Sequence, residues 1–372
     1  MASTARVLWL IKGLGPGGAE RLLVSSAPHV DAEQFEVSVC YLLPWKDQLA
    51  EELRAGGTQV DSLSIRNEWD VSWIGKLRRL MSERKIELVH AHLPYAGVGA
   101  RLAARSLGGR ARPAIVYTEH NTWDRYVPAT RIMNRATFAM NDASIAVSES
   151  VARSIGPRPG LRVIPNGIDA DALRRDALSR EDARRELGLP EDVPVVGTVG
   201  GLTAKKGHED LVRAAREVVD RFPNAVFVAI GLPIDPAPIE SAIASLGLQR
   251  NVVLAGYRPS ASRLMRAFDV FALPSLFEGM PLSLLEAMAL GLPVVSTVAG
   301  GVPEVIGDGD DGILVPVRDS ARLAAALSEL LGDPDRRESL GKSASVRAEA
   351  FGIAEMVRRT EYVYREALGQ RG

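Results

Sequence analysis

The sequence predicts an α/β chain of two Rossmann-like β/α/β domains, and three observations carry that reading. Short β-rich runs alternate with longer helical segments along the whole 372 residues, at about the 30-residue spacing of βα units. A Gly-rich loop follows the first strand of each half, near Gly13 and near Gly200, so the pattern restarts where a single eight-stranded barrel would simply continue. The length fits about two and a half domains of roughly 150 residues each.

In the first half, strands are expected at 6–11, 36–42, 59–64, 88–90, 114–118 and 144–147, joined by helical stretches such as 20–27. In the second half they fall at 194–199, 225–230, 252–255, 270–273, 294–297 and 313–315. Between the two sets, Ile164-Pro165-Asn166-Gly167-Ile168-Asp169 combines a rigid Pro with a flexible Gly and marks the domain junction. The domains then run over 1–165 and from 166 onward. A cleft between the two sheets, lined by the carboxyl ends of their strands, is the expected ligand site.

Hydrophobic residues at 46% and charged residues at 24% supply a core and exclude a disordered chain. Cys40 is the one cysteine, so no internal disulfide forms. No stretch near the N-terminus has the length and apolar density of a signal peptide or spanning helix, and a cytoplasmic location is the expectation. The net charge of −1 conceals an asymmetry: residues 1–165 hold 21 Lys and Arg against 16 Asp and Glu, and residues 166–372 hold 24 against 30. Different partners for the two halves and plain compositional scatter both account for that split.

The first strand runs into Lys12-Gly13-Leu14-Gly15-Pro16-Gly17-Gly18, where Gly13, Gly15 and Gly18 satisfy G-x-G-x-x-G ahead of a helix. Such a loop opens backbone amides to a phosphate, or serves only tight strand–helix packing. The second strand ends in apolar residues where a dinucleotide fold carries a ribose-binding acid, which disfavours a nicotinamide cofactor.

The most informative segment is 277–291. Pro281 reads as a first helical residue and Gly291 as the stop, giving a helix of about ten residues. Every other side chain on it except Ser283 is apolar, so Glu286 is expected to be buried. A buried carboxylate must titrate or meet a partner, either a hydroxyl-rich ligand or a structural Lys or Arg. Glu278 stands just before the helix, where the open amides of Gly279, Leu282 and Ser283 suit a diphosphate and the two carboxylates suit sugar hydroxyls.

These residues resemble the retaining glycosyltransferases of family 4, group 1, which have the GT-B fold of two Rossmann-like domains facing across a cleft. The resemblance covers nearly the whole chain. It rests on Gly17-Gly18-Ala19-Glu20-Arg21, Thr118-Glu119-His120, Pro165-Asn166-Gly167-Ile168-Asp169, Lys206-Gly207, the E-x7-E pair Glu278 and Glu286, Ala299-Gly300-Gly301-Val302-Pro303-Glu304, and Asp311-Gly312-Ile313-Leu314-Val315. It implies a nucleotide-sugar donor held by the domain at 166–352, an acceptor held by the domain at 1–165, and a last helix, within 353–372, crossing back onto the first domain.

By the same resemblance Glu286 binds the donor ribose, Lys206 the diphosphate, and Glu278 the hydroxyls of the transferred sugar with the backbone of Gly279, Met280, Pro281 and Leu282. Gly17 and Gly18 approach the diphosphate, Tyr257 and Arg258 frame the base, and His120 lines the reaction centre. His120, Lys206 and Glu278 are thus the catalytic set. One departure stands out: the family's G-R-L-x-x-x-K-G reads Gly200-Gly201-Leu202-Thr203-Ala204-Lys205-Lys206-Gly207 here, with Gly201 in place of Arg.

The expected activity is metal-independent retaining transfer of a sugar to a glycan, lipid-linked or small-molecule acceptor, with no cofactor and no nucleic-acid partner. A nicotinamide-dependent oxidoreductase and a non-catalytic sugar-nucleotide-binding partner are the alternatives. His90-Ala91-His92 reads as a strand end lining the acceptor site rather than a metal site, because no third ligand stands at suitable spacing. Asp169-Ala170-Asp171 and Asp308-Gly309-Asp310 read as acidic turns. Trp69, Trp73 and Ile74 beside Lys76, Arg78, Arg79, Arg84 and Lys85 form either a face for an anionic membrane, placing the protein peripherally at its inner side, or a solvated helix with its tryptophans turned inward. Arg125, Arg131 and Arg135 suit an anionic acceptor or no ligand at all.

Overall fold

The structure, a computed structural model, describes residues 4–67 and 70–369. It divides into two compact units, one ending at Gly167 and resuming at Ile353, the other Ile168–Gly352. The division falls two residues beyond the 165/166 boundary expected from sequence. Asn166 is buried, the Gly167 N–H meets Met356 Sδ at 3.2 Å within the first unit, and the Ile168 N–H donates to the Phe351 carbonyl at 2.8 Å within the second.

The first unit holds β1 (Ala5–Ile11), β2 (Phe35–Tyr41), β3 (Gln59–Ser62), β4 (Leu88–His92), β5 (Ala114–Glu119), β6 (Ala143–Ala146) and β7 (Leu161–Val163), all parallel, in the order β3-β2-β1-β4-β5-β6-β7. This sheet has seven strands rather than six. The second unit holds β8 (Val195–Val199), β9 (Val226–Ile230), β10 (Val252–Gly256), β11 (Val270–Leu273), β12 (Val294–Thr297) and β13 (Ile313–Val315), in the order β10-β9-β8-β11-β12-β13. Helices cover both faces of a parallel sheet, so β4, β5, β9 and β11 are buried at every position; β9 and β11 read as continuous apolar runs, while β4 and β5 carry His90, His92, Thr118 and Glu119 toward their carboxyl ends. The covering helices show the complementary pattern. His208–Arg221 buries Leu211, Val212, Ala214, Ala215, Val218 and Val219 on one stripe, with Glu209 and Asp210 in its first turn and Arg221 in its last.

In each sheet the strand order reverses once, at β1/β4 and at β8/β11. Loops leaving the carboxyl ends of such a pair diverge to opposite faces and leave a crevice for a ligand. The position of both candidate sites follows from this topology.

The helix Ile353–Gly369 packs on the first unit, burying Val357, Val363, Tyr364 and Ala367. Tyr364 meets Phe35 edge-on, with ring centroids 5.5 Å apart. Its hydroxyl accepts from Trp9 Nε1 at 2.9 Å and lies 2.6 Å from His90 Nδ1. Because the indole can only donate, the hydroxyl's proton goes to Nδ1, which places the His90 proton on Nε2, 2.6 Å from Thr118 Oγ1. The face proposed for a membrane, helix Trp73–Glu83, turns its aromatic inward: Trp73 is buried and stacks on Tyr95 at 5.5 Å. Trp69 lies outside the described residues.

Tyr364→Phe leaves the Trp9 indole and His90 Nδ1 without their buried partner. A loss of about 2 kcal/mol of stability is expected, read as a lower urea midpoint with unchanged slope in tryptophan fluorescence.

Candidate active site

In the second unit, β8 leads through Gly200 and Gly201 to the short turn Ala204–Lys206, and β11 leads through Pro274 and Ser275 to Glu278. These loops leave the pair of strands where the order reverses. The Leu276 N–H donates to the Lys205 carbonyl at 2.8 Å, tying one loop to the other. Lys206 Nζ then reaches Glu278 Oε1 at 2.6 Å, and Ser275 Oγ donates to the same oxygen at 2.6 Å. Glu278 is 8% exposed, so the pair is largely out of water.

Two glycines make this closeness sterically feasible. Gly207 has φ +65°, and a Cβ there would stand 2.0 Å from the Pro274 carbonyl oxygen. Gly300 has φ +56°, and its Cβ would stand 1.7 Å from the Glu278 carbonyl oxygen, which also accepts from the Gly301 N–H at 3.3 Å. Any other residue at either position would incur both left-handed backbone strain and a clash with the backbone beside the ion pair.

Gly279, Met280 and Pro281 are buried between Glu278 and the helix Leu282–Ala289. Pro281 has extended ψ, 119°, and caps this helix instead of beginning it, so the helix spans eight residues. Its first-turn amides, from Leu282 to Leu284, have no intrahelical acceptor. Glu286 lies one turn in and is half-buried, not buried as its apolar neighbours suggest, because it lies on the side of the helix that the core does not cover. Tyr257 is half-buried and Arg258 exposed, just after β10. Gly201 carries no steric requirement for glycine, since a Cβ would touch only the flexible end of the exposed Ile234 side chain at 3.1 Å. The missing Arg is therefore a loss of one cation.

In the first unit, Gly17 caps the helix Gly18–Ser26 at its N-terminus, and the loop before it is braced by Leu14 N–H to Lys46 O at 2.6 Å and Leu49 N–H to Leu14 O at 2.9 Å. His120 follows β5. The parallel register sets His92 opposite Thr118, so His120 reaches the end of β4 from the adjacent strand. His120 Nε2 lies 3.1 Å from His92 Nδ1, and the His92 and His90 rings are 4.2 Å apart. His120, just past the neighbouring strand, thus joins His90 and His92 in one row of imidazoles. Among the described residues no group of three His, Cys, Asp or Glu is placed to share a metal ion.

His92 Nε2 is buried without a hydrogen-bond partner, beside a cavity lined by Trp9, His90, Thr118, Asn166 and Tyr364. Burial keeps the cluster neutral. It lowers His90 to about 3 and His120 to about 4, and takes His92 well below the usual histidine range, with mutual repulsion adding to the effect at His90 and His92. Among the acidic turns, Asp169 Oδ1 accepts from the Ala172 N–H at 2.9 Å as a helix cap, and Asp308 Oδ1 accepts from the Leu314 N–H at 2.9 Å.

Residues 179–347 match the family described as glycosyl transferases group 1, and residues 16–172 match glycosyltransferase family 4. A GDP-mannose-dependent α-(1-6)-phosphatidylinositol monomannoside mannosyltransferase of Mycolicibacterium smegmatis is 30% identical over 72% of this chain and 72% of its own. The chain belongs to the family 4, group 1 glycosyltransferases. A D-inositol 3-phosphate glycosyltransferase of Corynebacterium aurimucosum is 35% identical over 55% of this chain, and the match spans about half of that relative, 51%. Anabaena HepE, solved with UDP and glucose, superposes with a TM-score of 0.85 at 23% identity over 97% of this chain and 99% of its own, which shows the shared GT-B fold. Family membership leaves the nicotinamide alternative without support. No helix among the described residues of this glycosyltransferase is long and apolar enough to cross a membrane.

A histidine held neutral by burial costs stability once the unfolded chain protonates. The folded state is therefore fully stable above the unfolded histidine value of about 6.5 and loses stability as pH falls toward the depressed folded values, by about 2 kcal/mol per buried histidine between pH 7 and pH 5. Unfolding midpoints at the two pH values should differ less in His120→Gln than in the parent. An identical pH dependence would show that His120 protonates freely in the fold.

Proposed function

We propose that this glycosyltransferase is retaining and metal-independent, moving a sugar from a nucleotide-sugar donor to a glycan, lipid-linked or small-molecule acceptor. The observation that carries the reading is the Lys206–Glu278 pair at 2.6 Å, held where the sheet order reverses and beside the N-terminus of the helix bearing Glu286. Breaking the bond from sugar carbon to phosphate oxygen leaves negative charge on a diphosphate. Lys206 Nζ has three N–H donors and uses one on Glu278, so two remain for that charge. The first-turn amides at Leu282 and Ser283 add fixed positive dipole ends. These groups supply what a divalent cation supplies elsewhere.

Glu278 Oε1 is occupied by Lys206 and Ser275, and Oε2 is the oxygen presented to sugar hydroxyls together with the amides from Gly279 to Leu282. Glu286 binds the ribose, Tyr257 and Arg258 frame the base, and the Gly17-Gly18 turn approaches the diphosphate with the Gly18 N–H at the helix start, the Gly17 N–H donating to the Gly15 carbonyl at 2.9 Å. His120, neutral at pH 7, lines the reaction centre as a hydrogen-bonding group without charge. Lipid-linked acceptors are favoured by the name of the M. smegmatis relative, which specifies a phosphatidylinositol monomannoside. The surface with the chemistry for an anionic membrane is the helix Pro128–Thr137, where Ile132 and Met133 are exposed beside Arg131 and Arg135, not the helix carrying Trp73.

Transfer from a panel of nucleotide sugars should persist in excess chelator and give product with the donor's anomeric configuration by proton NMR. Activity abolished by chelator and restored by Mg²⁺ would refute metal independence. Glu286→Ala removes a charged hydrogen-bond acceptor worth about 1.5–3 kcal/mol and should weaken nucleotide-sugar binding at least about tenfold in calorimetry; unchanged affinity would overturn the ribose assignment.

A further inference from the structure

Glu119, the last residue of β5, is fully buried and meets six donors. Oε2 accepts from Tyr117 Oη at 2.6 Å, Trp123 Nε1 at 3.0 Å and Asn134 Nδ2 at 3.3 Å. Oε1 accepts from Tyr126 Oη at 2.5 Å and from the N–H groups of His120 at 3.1 Å and Asn121 at 3.4 Å. The indole and the two backbone N–H groups can only donate. Asn134 Nδ2 also donates to Tyr117 Oη at 3.4 Å, which commits that hydroxyl's own proton to Glu119. The site therefore calls for a group that accepts on both sides, and a carboxylate is the side chain that does so. Arg101, buried above the Tyr117 ring at 4.5 Å, places positive charge nearby.

Four of the six donors belong to residues 120–126, the stretch that leaves the sheet with His120 at its head. A carboxylate is a costly core residue unless its bonds achieve something an apolar side chain cannot. We propose that Glu119 is the positioning residue of the acceptor-side loop: by gathering the loop's donors onto one carboxylate it fixes the His120 imidazole against His92 at the carboxyl ends of β4 and β5. This rests on the reading of His120 as a reaction-centre group. Glu119 itself has every lone-pair direction occupied, so it acts through the loop and not on substrate.

Glu119→Gln keeps the shape but turns an NH₂ toward three of the donors, and Glu119→Asp keeps the acceptor-only charge with a shorter reach. Histidine ring resonances, with His120 assigned by its absence in His120→Gln, are followed by NMR from pH 7.5 to 5.5 in the full chain, above the range in which Glu119, whose carboxyl burial raises, takes up a proton. The His120 ring, held neutral across that range in the parent because burial lowers it to about 4, should begin to protonate within it in Glu119→Gln as the loop releases the ring. The indole signals of Trp9 and Trp73 should stay in place as the record of an intact fold. Transfer kcat should fall at least tenfold with the donor KM changed less than twofold, and Glu119→Asp should recover at least threefold of it. A His120 ring that stays neutral over that range in Glu119→Gln, or an unchanged kcat where it protonates, overturns the proposal. If Glu119→Gln loses the Trp9 and Trp73 signals, the Glu119→Asp titration decides on the same criterion. A parent enzyme that transfers no sugar sinks the proposed function, while the His120 titration still decides the positioning.

Discussion

The second unit depends on one contact, the ion pair of Lys206 with Glu278 in a nearly dry crevice. Two charges so placed lose their hydration and recover it only if brought within hydrogen-bond distance with their remaining valences supplied. That requirement reaches into the backbone. Two loops from different strands must run close enough to touch, which is why Gly207 lies against Pro274 and Gly300 against Glu278 in conformations that side chains avoid. The G-G-V-P motif and the K-G motif, some ninety residues apart in sequence (about three βα units), are thus two sides of one steric problem.

Both units carry a buried carboxylate near the carboxyl end of a strand, Glu119 as the last residue of β5 and Glu278 in the loop after β11, and they resolve its cost differently. Glu119 is saturated by six neutral donors and has nothing left to offer a ligand. Glu278 has one oxygen bound twice, by a cation and a hydroxyl, and the other directed elsewhere. Saturation suits a residue that fixes a loop. A carboxylate with an unspent oxygen beside a lysine with unspent protons suits one that binds a polyhydroxylated, anionic molecule, because each new bond then adds to an arrangement already paid for in desolvation.

Strand positions were readable because a parallel sheet covered on both faces favours short β-branched and apolar stretches, and β11, β12 and β13 fall at the residues that those stretches predict. β7 escaped notice because Leu161–Val163 is a three-residue edge strand with the exposed Arg162 at its centre. The carboxylates at 278 and 286 were readable from their place around a helix start, yet their surroundings were not: a composition of apolar neighbours says nothing about which side of the helix faces the core, and Glu286 is only half-buried. The donors around Glu119 lie within fifteen residues of it and were hidden by the fold of the loop that carries them, whereas the pairing of Lys206 with Glu278 and the approach of His120 to His92 join residues from different strands or loops. Such contacts need the strand order and register, although adjacency of β4 and β5 would have brought His92 and His120 together had it been assumed.

The charge asymmetry sharpens once the units are known. The second unit, Ile168–Gly352, holds 20 Lys and Arg against 27 Asp and Glu, and the first holds 25 against 19. On the proposed function, a donor carrying a diphosphate would meet a unit of its own sign. Distance resolves the conflict. At physiological ionic strength the field of an exposed charge fades over about 8 Å, whereas a cation about 4 Å from an anion at an effective dielectric of about 20 contributes about 4 kcal/mol. The acidic residues are spread through turns and helix caps such as Asp169, Asp308 and Asp319, each engaged with local backbone N–H groups. In the proposed site, Lys206 and the first-turn amides of the helix at 282 would act at contact distance, beside the buried Glu278. Since Glu278 already balances Lys206, what the site presents to an incoming anion is directed N–H groups rather than net charge, and recognition there depends on geometry more than on field.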